Sequence, residues 1–261
     1  MSLLNPLNRL DVYSWIILAL LVFAAAGAYT YGPSQTLPQV LIAVAAANAF
    51  DMAAKYIKTR KIVFTKSATI TGLFIGLLLG LSSEYYLPVA AAAVAIASKH
   101  LINVKGRHVF NPALLSMLFL WVAFSALPAW WGSFAFPTQQ FPWLNLLVVA
   151  ALGVVIMVRQ KRYDLVLPFV GAFMLLSFVT NTLLAGSLLV PIIDSTTLFA
   201  AMFMLVEPKT SPLFSRARIF YGVVAATLFV GFALLRIENA PLFALLAANL
   251  FVLPLDKYLR G

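Results

Sequence analysis

The chain has 261 residues, 63 % of them hydrophobic and 10 % charged, with a mean hydropathy of +0.98. Soluble domains carry roughly 25 % charged residues, so this composition excludes one and describes an all-α integral membrane protein, a single bundle over residues 1–261. With no cysteine there are no disulfides, thiolate zinc sites or cysteine-ligated iron–sulfur clusters.

A hydrocarbon core of ~30 Å asks for about 20 apolar residues per helix. On that measure about ten transmembrane helices are predicted, at 14–31, 37–57, 67–81, 86–103, 110–127, 142–158, 164–186, 195–206, 217–235 and 240–255. The first run is followed by Gly32-Pro33-Ser34, without an Ala-x-Ala-like site, and reads as a span rather than a cleaved signal. Near the inner end of span two, Asp51 precedes Lys55 by four residues. That spacing suits a helical ion pair, and a carboxylate inside an apolar span equally suits a stop on a cation or proton pathway. Span three opens on the hydroxyl cluster Ser67-Ala68-Thr69-Ile70-Thr71-Gly72, and Gly72, Gly76 and Gly80 recur every four residues. Such a line allows a neighbouring helix to approach closely, or a flat ring to rest on it.

His100 and His108 lie in a basic loop rather than mid-helix, which argues against a membrane haem pair. Residues 128–143 are uncharged and rich in Trp, Phe and Pro, as at an interfacial belt or a docking surface for an extracytoplasmic partner or cofactor. Asp164 opens span seven as a helix cap. Span eight starts at Asp194-Ser195-Thr196-Thr197, where Asp194 suits an N-cap and the threonines exceed what a cap requires. It closes at Glu207-Pro208-Lys209-Thr210-Ser211-Pro212.

The net charge of +10 follows the topology. Counted over alternate loops, seventeen of the eighteen Lys and Arg fall on one side and only Arg236 on the other. The positive-inside rule then puts both termini in the cytoplasm. Nucleic acid is not needed to explain the charge; the lipid bilayer is the partner it implies. Ten spans divide into five and five, and an odd number per half inverts the second half relative to the first. Ser67 and Ser195 begin spans three and eight, about 130 residues apart, as do Ala113-Leu114-Leu115 and Ala244-Leu245-Leu246 in spans five and ten. The repeats are expected over about 10–127 and 140–257. In transporters built from inverted repeats, paired short or interrupted segments point to the functional site, because irregular polar backbone at membrane depth must be buried or line a cavity.

Ser67-Ala68-Thr69-Ile70-Thr71-Gly72-Leu73, then Lys99, then Phe110-Asn111-Pro112-Ala113, resemble the first half of the D subunit of the Rnf electron-transport complex and the B subunit of the sodium-translocating NADH:quinone oxidoreductase. The second half is similar through Thr197-Leu198-Phe199-Ala200-Ala201-Met202-Phe203 and Glu207-Pro208-Lys209-Thr210-Ser211-Pro212. Arg218-Ile219-Phe220-Tyr221-Gly222, Arg236, Phe243-Ala244-Leu245-Leu246, Asn249 and Pro254-Leu255-Asp256 follow in the family's order. The resemblance covers roughly residues 40–125 and 190–257. It implies a ten-helix inverted repeat like that of urea transporters, flavin, electron passage and coupling to sodium or proton movement. It also implies redox partner subunits carrying flavin or iron–sulfur centres, in a bacterial cytoplasmic (inner) membrane.

The chain departs from the family where covalent flavin is attached. No Ser-Gly-Ala-Thr occurs, and Lys66-Ser67-Ala68-Thr69 falls at the cytoplasmic end by charge. The family's Asp before Pro is Glu207. The expected cofactor is therefore a noncovalent flavin, FMN or riboflavin, in a subunit of an oxidoreductase complex rather than a stand-alone enzyme. The expected cofactor contacts are Ser67, Thr69, Thr71, Gly72, Asn111, Ser195, Thr196, Thr197, Thr210 and Ser211. The ion-pathway candidates are Asp51, Asp194 and Glu207. A channel or transporter for a small solute or cation is the rival reading, and a scaffold that only docks redox partners a third. No Ser-His-Asp set, paired catalytic carboxylates or phosphate loop is visible, so hydrolysis has no candidate residues.

Overall fold

A computed structural model describes residues 10–81, 84–104, 106–137, 143–183 and 193–260. Phe141 and Pro142 of the aromatic stretch and the end of the expected span seven lie outside these residues. The described chain is an all-α membrane protein with ten helices. The first five are α1 (Val12–Tyr31), α2 (Pro33–Thr59), α3 (Lys66–Leu78), α4 (Tyr86–Leu101) and α5 (Pro112–Phe124). The last five are α6 (Leu144–Gln160), α7 (Tyr163–Leu183), α8 (Ser195–Phe199, continued by a π-helical turn at Ala200–Met204), α9 (Ser215–Leu234) and α10 (Ala240–Tyr258). A two-residue hairpin, β1 (Asn103–Val104) and β2 (Arg107–His108), joins α4 to α5.

Local chemistry sets several boundaries. Asp11 caps α1 by accepting from the Ser14 amide, and Asn111 caps α5 by accepting from Ala113 and Leu114, with Pro112 in the first turn. Asp194 caps α8 through the Thr197 amide. At the other ends, Arg60, Ser125 and Lys161 adopt the left-handed conformation that closes α2, α5 and α6.

Five helices are long and apolar enough to cross a membrane: α1, α2, α7, α9 and α10. The other five are shorter than 18 residues. At 1.5 Å per residue, the 13-residue α3 reaches only about 20 Å, so its C-terminal carbonyls end within the bundle. Each has a donor. Gln39 Nε2 donates to the Gly76 and Leu79 carbonyls, and Trp131 Nε1 donates to Gly76. The amides of Ala129 and Trp130 donate to Leu78, beside an isolated bridge between Leu79 and Pro128. A helix can stop at membrane depth only with such partners, and here the aromatic loop and α2 supply them.

α2 packs on α3 and α4, α4 on α5, and α1 on α3; in the second half α7 packs on α9, α9 on α10, and α6 on α8. Gly72 and Gly76 let α3 sit against α2. A Cβ on Gly72 would fall 2.5 Å from the Val44 Cα, and one on Gly76 2.9 Å from the Val40 Cα. Where the two sets of five helices meet, Phe23 and Phe74 pack edge-on against Phe199, and Phe199 stacks on Phe203. The outside is apolar: Leu41 is 64 % exposed, Val122 79 % and Phe178 60 %. Such a surface suits lipid or the apolar face of a partner protein.

The loops expected on one side share one end of the bundle. Lys66 bonds to Asp11, Lys58 meets His100, Arg162 donates to the Pro212 carbonyl and Arg218 pairs with Asp164. The opposite end holds Thr30 and Tyr31 on the carbonyls of Ala135 and Phe134, and Trp130 on Asn239.

Candidate functional site

The nominated side chains form two groups at opposite ends of α1, a helix of 20 residues and about 30 Å. Ser67, Asn111, Glu207, Thr210 and Ser211 lie toward the end that holds Asp11. Ser195, Thr196 and Thr197 lie toward the end that holds Tyr31, where the Thr196 and Ser133 hydroxyls are 2.9 Å apart. The reason is direction: α3 starts at the basic end and α8 at the aromatic end.

At the basic end, Asn111 links the two sets of helices. Its Nδ2 donates to Glu207 Oε2 at 2.9 Å, and the Thr210 hydroxyl donates to the same oxygen at 3.2 Å. The Asn111 amide donates to Asn249 Oδ1, and Asn249 Nδ2 donates to the Thr210 carbonyl and the Tyr221 hydroxyl. Arg107 donates to the Ser211 carbonyl and to Asp256, whose other oxygen accepts from the Leu213 amide. Asn249, Tyr221, Asp256 and Gln39 were not nominated. A polar group inside an apolar run was the available signal, but its partners are distant in sequence.

Other nominated groups are occupied locally. The Thr71 hydroxyl donates to the Ser67 carbonyl of its own helix, and Thr69 donates to Asn48 on α2. Gly72 is taken up by the contact with α2. Asp51 Oδ2 accepts from Lys55 and Thr65, both at 2.6 Å, and its Oδ1 meets His100 Nε2 at 3.1 Å. The helical pair with Lys55 is thus present, extended by two groups from other segments. Asp194 accepts from the amide and hydroxyl of Thr197. The Asp11 carboxyl, exposed at the start of α1, is held down to about 2 by hydrogen bonds from Ser14 and then Lys66. Among the described residues no three His, Asp or Glu side chains gather as a metal site.

Three spaces bear on a bound group. Between the halves, Ser67, Thr71, Asn111, Glu207 and the unpartnered amide of Gln160 border a cavity of about 30 Å³. A water needs roughly 10–15 Å³ on this measure, so the space suits about two waters and does not admit a flavin ring. A second pocket of about 260 Å³ opens at the basic end beside Lys99 and His108. A third, at the aromatic end, encloses about 520 Å³ and is bordered by Phe134, Trp143, Asn145, Ile193, Asp194 and Ser195. Ligand pockets commonly run to ~300–1,000 Å³ with apolar, aromatic walls and few polar groups. Among the described residues, this third, open space is bordered by candidate residues and suits a flavin by size and lining.

The sequence matches the NQR2, RnfD, RnfE family over residues 8–134 and again over 127–261. The chain belongs to this family. A Methanosarcina acetivorans relative, named as the D subunit of an ion-translocating oxidoreductase complex, is 26 % identical over 254 residues, covering 89 % of this chain and 84 % of the relative. A Shewanella amazonensis protein of the same name is 32 % identical over 122 residues, covering 45 % of this chain and 35 % of that protein. The resemblance drawn from the hydroxyl clusters and the Glu207–Pro212 stretch is therefore a family relationship.

Proposed function

We propose that the chain is the membrane-embedded D subunit of an ion-translocating oxidoreductase complex, passing electrons across the membrane with a noncovalently bound flavin. The family matches, which together run from residue 8 to 261, carry this reading. The complex sits in a cytoplasmic membrane with both termini and the basic loops inside, and electron flow is coupled to Na⁺ or H⁺ movement. Its other subunits are redox proteins carrying flavin or iron–sulfur centres, some docking on the aromatic outer end. The recurring neighbours (α2 on α4 with α7 on α9, α4 on α5 with α9 on α10, α1 on α3 with α6 on α8) support two repeats. The charge split supports their inversion.

Flavin supplies one- and two-electron chemistry, and the protein supplies a dry, oriented site. At the aromatic end, Phe134 and Trp143 offer faces for a planar ring and Ser195 a polar edge. Asn145 holds this wall in place by bonding both the amide and the carbonyl of Phe136. Thr69 lies at the opposite end, hydrogen-bonded to Asn48, so the Ser67-Ala68-Thr69 sequence offers no attachment point there. A solute channel is less well supported, because four phenylalanines and a two-water cavity occupy the contact between the halves.

The test is the visible spectrum of this subunit, purified from native membranes and separated from its partner subunits. A flavin spectrum is expected, with all flavin passing into the supernatant on denaturation. Fluorescence that stays with the denatured polypeptide would overturn the noncovalent assignment. A colourless subunit would overturn the flavin.

A further inference from the structure

The pocket at the basic end has no part in the electron-transfer reading. It encloses about 260 Å³ and is bordered by Asp51, Lys55, Thr65, Ser67, Lys99, His100, Asn103, Gly106, His108 and Lys209. Three ammonium groups face the Asp51 carboxylate, and the buried Glu207 carboxylate acts on Lys99 and Lys209 through space, which leaves an excess of about one positive charge. Asp51 is already shared among Lys55, Thr65 and His100. Lys99 is only 8 % exposed, and the partners of its ammonium are the neutral carbonyl and hydroxyl of Ser67. Lys209 has no hydrogen bond or ion pair among the described residues. His108 is buried, with neither ring nitrogen hydrogen-bonded. The Glu207 carboxylate accepts instead from Asn111 and Thr210. A buried, under-neutralised ammonium is costly unless an anion completes the site.

We infer that this pocket binds a phosphate group at the inner face of the membrane. Lys99 and Lys209 supply charge, and the Ser67 hydroxyl and the Asn103 amide supply neutral donors. Lysine suits phosphate as a point charge, without the bidentate fork of arginine. A phosphomonoester carries roughly −1.5 to −2 at neutral pH, enough to neutralise the excess in the pocket. Two sources present this chemistry: a soluble phosphate compound, or a lipid headgroup. Basic pockets between transmembrane helices on the cytoplasmic side are suited to anionic headgroups. Leu101 and Ile102, 79 % and 42 % exposed beside the pocket, would give an acyl chain an apolar path.

The full chain, purified in detergent and in nanodiscs, is tested with two probes. Calorimetry reads the binding of inorganic phosphate. Native mass spectrometry reads the retention of phosphatidic acid against phosphatidylcholine. Saturable binding of at least one probe is expected. Phosphate binding that added phosphatidic acid leaves unchanged identifies a soluble anion, and retained phosphatidic acid that phosphate does not displace identifies a lipid. Lys209→Gln, at an exposed position where folding is not at stake, should weaken the bound probe about tenfold, the loss of one charge-assisted hydrogen bond. Lys209→Arg should restore most of it, and Lys257→Gln, at the end of α10, should change nothing. Failure of both probes to bind, unaltered binding by Lys209→Gln, or an equal loss with Lys257→Gln would each overturn the site.

Discussion

The imidazole of His108 sits on β2, outside the helices, 8 % exposed and without a hydrogen-bond partner for either nitrogen. Burial, then the nearby charges of Lys209, Lys99 and His100, lowers its pKa from 6.5 to about 4. The sign of the stability effect follows from which state binds the proton. Between pH 6.5 and 4 the unfolded chain takes up a proton that the folded chain refuses, so stability falls with pH across that window and levels off below it. Thermal melts in detergent at pH 7.5, 6 and 4.5 should show this decline in the native protein and a shallower one in His108→Phe. Equal slopes would mean that other groups govern acid sensitivity. A histidine inside a basic loop reads from sequence as one more topological marker. Its burial depends on α10 and the 205–214 segment closing over the hairpin, which no local pattern reveals. The Asp51–Lys55 pair, by contrast, was legible because both partners lie on one helix, whereas Thr65 and His100 arrive from elsewhere.

The glycines of α3 and the one just beyond its end separate close packing from ordinary contact. Gly72 and Gly76 face the backbone of α2, while a Cβ on Gly80 would lie 3.5 Å from the Leu127 carbonyl, ordinary contact. Gly72→Ala and Gly76→Ala should each destabilise by about 1–3 kcal/mol, the usual result of overpacking. Gly80→Ala should be close to neutral. Unfolding midpoints measured in one detergent would check the ranking, and a Gly80 variant as damaged as the other two would refute it. The start of α8 at Ser195 was legible because its Asp194 cap is local, and α3 begins one residue before the expected Ser67. Helix ends were less so. Span three was expected to reach residue 81, yet α3 stops at Leu78, because Gln39 and Trp131 satisfy its carbonyls from segments remote in sequence. The expected convergence of both hydroxyl clusters on one site also conflicts with the charge pattern, which already puts Ser67 and Ser195 on opposite faces.

The separation of charge is visible across the whole bundle. Basic loops bond to one another at one end, and tryptophan and phenylalanine gather at the other with Arg236. A reporter fused after Lys61 or Arg162 should therefore read cytoplasmic, and one fused after Trp131 extracytoplasmic. A cytoplasmic signal at Trp131 would break the ten-helix topology and, with it, the proposed inversion. The fold class and family were legible because composition, loop charge and short motifs are properties of the sequence itself. The size of each cavity was not, since it depends on how far apart side chains from different helices come to rest.

The Arg107 contacts to Ser211 and Asp256, with Asn111 on Glu207, fasten the first five helices to the last five at the basic end. Ser133 with Thr196 and Trp130 with Asn239 do so at the aromatic end. A carrier that alternates access must rock one half against the other, and here that motion would tear both seams and strand a guanidinium away from its carboxylate. For the proposed electron-transfer role, a chassis bolted at both faces would keep the spacing between donor and acceptor constant. Electron tunnelling falls off steeply with distance, so under that proposal fixed spacing would mean a steady current.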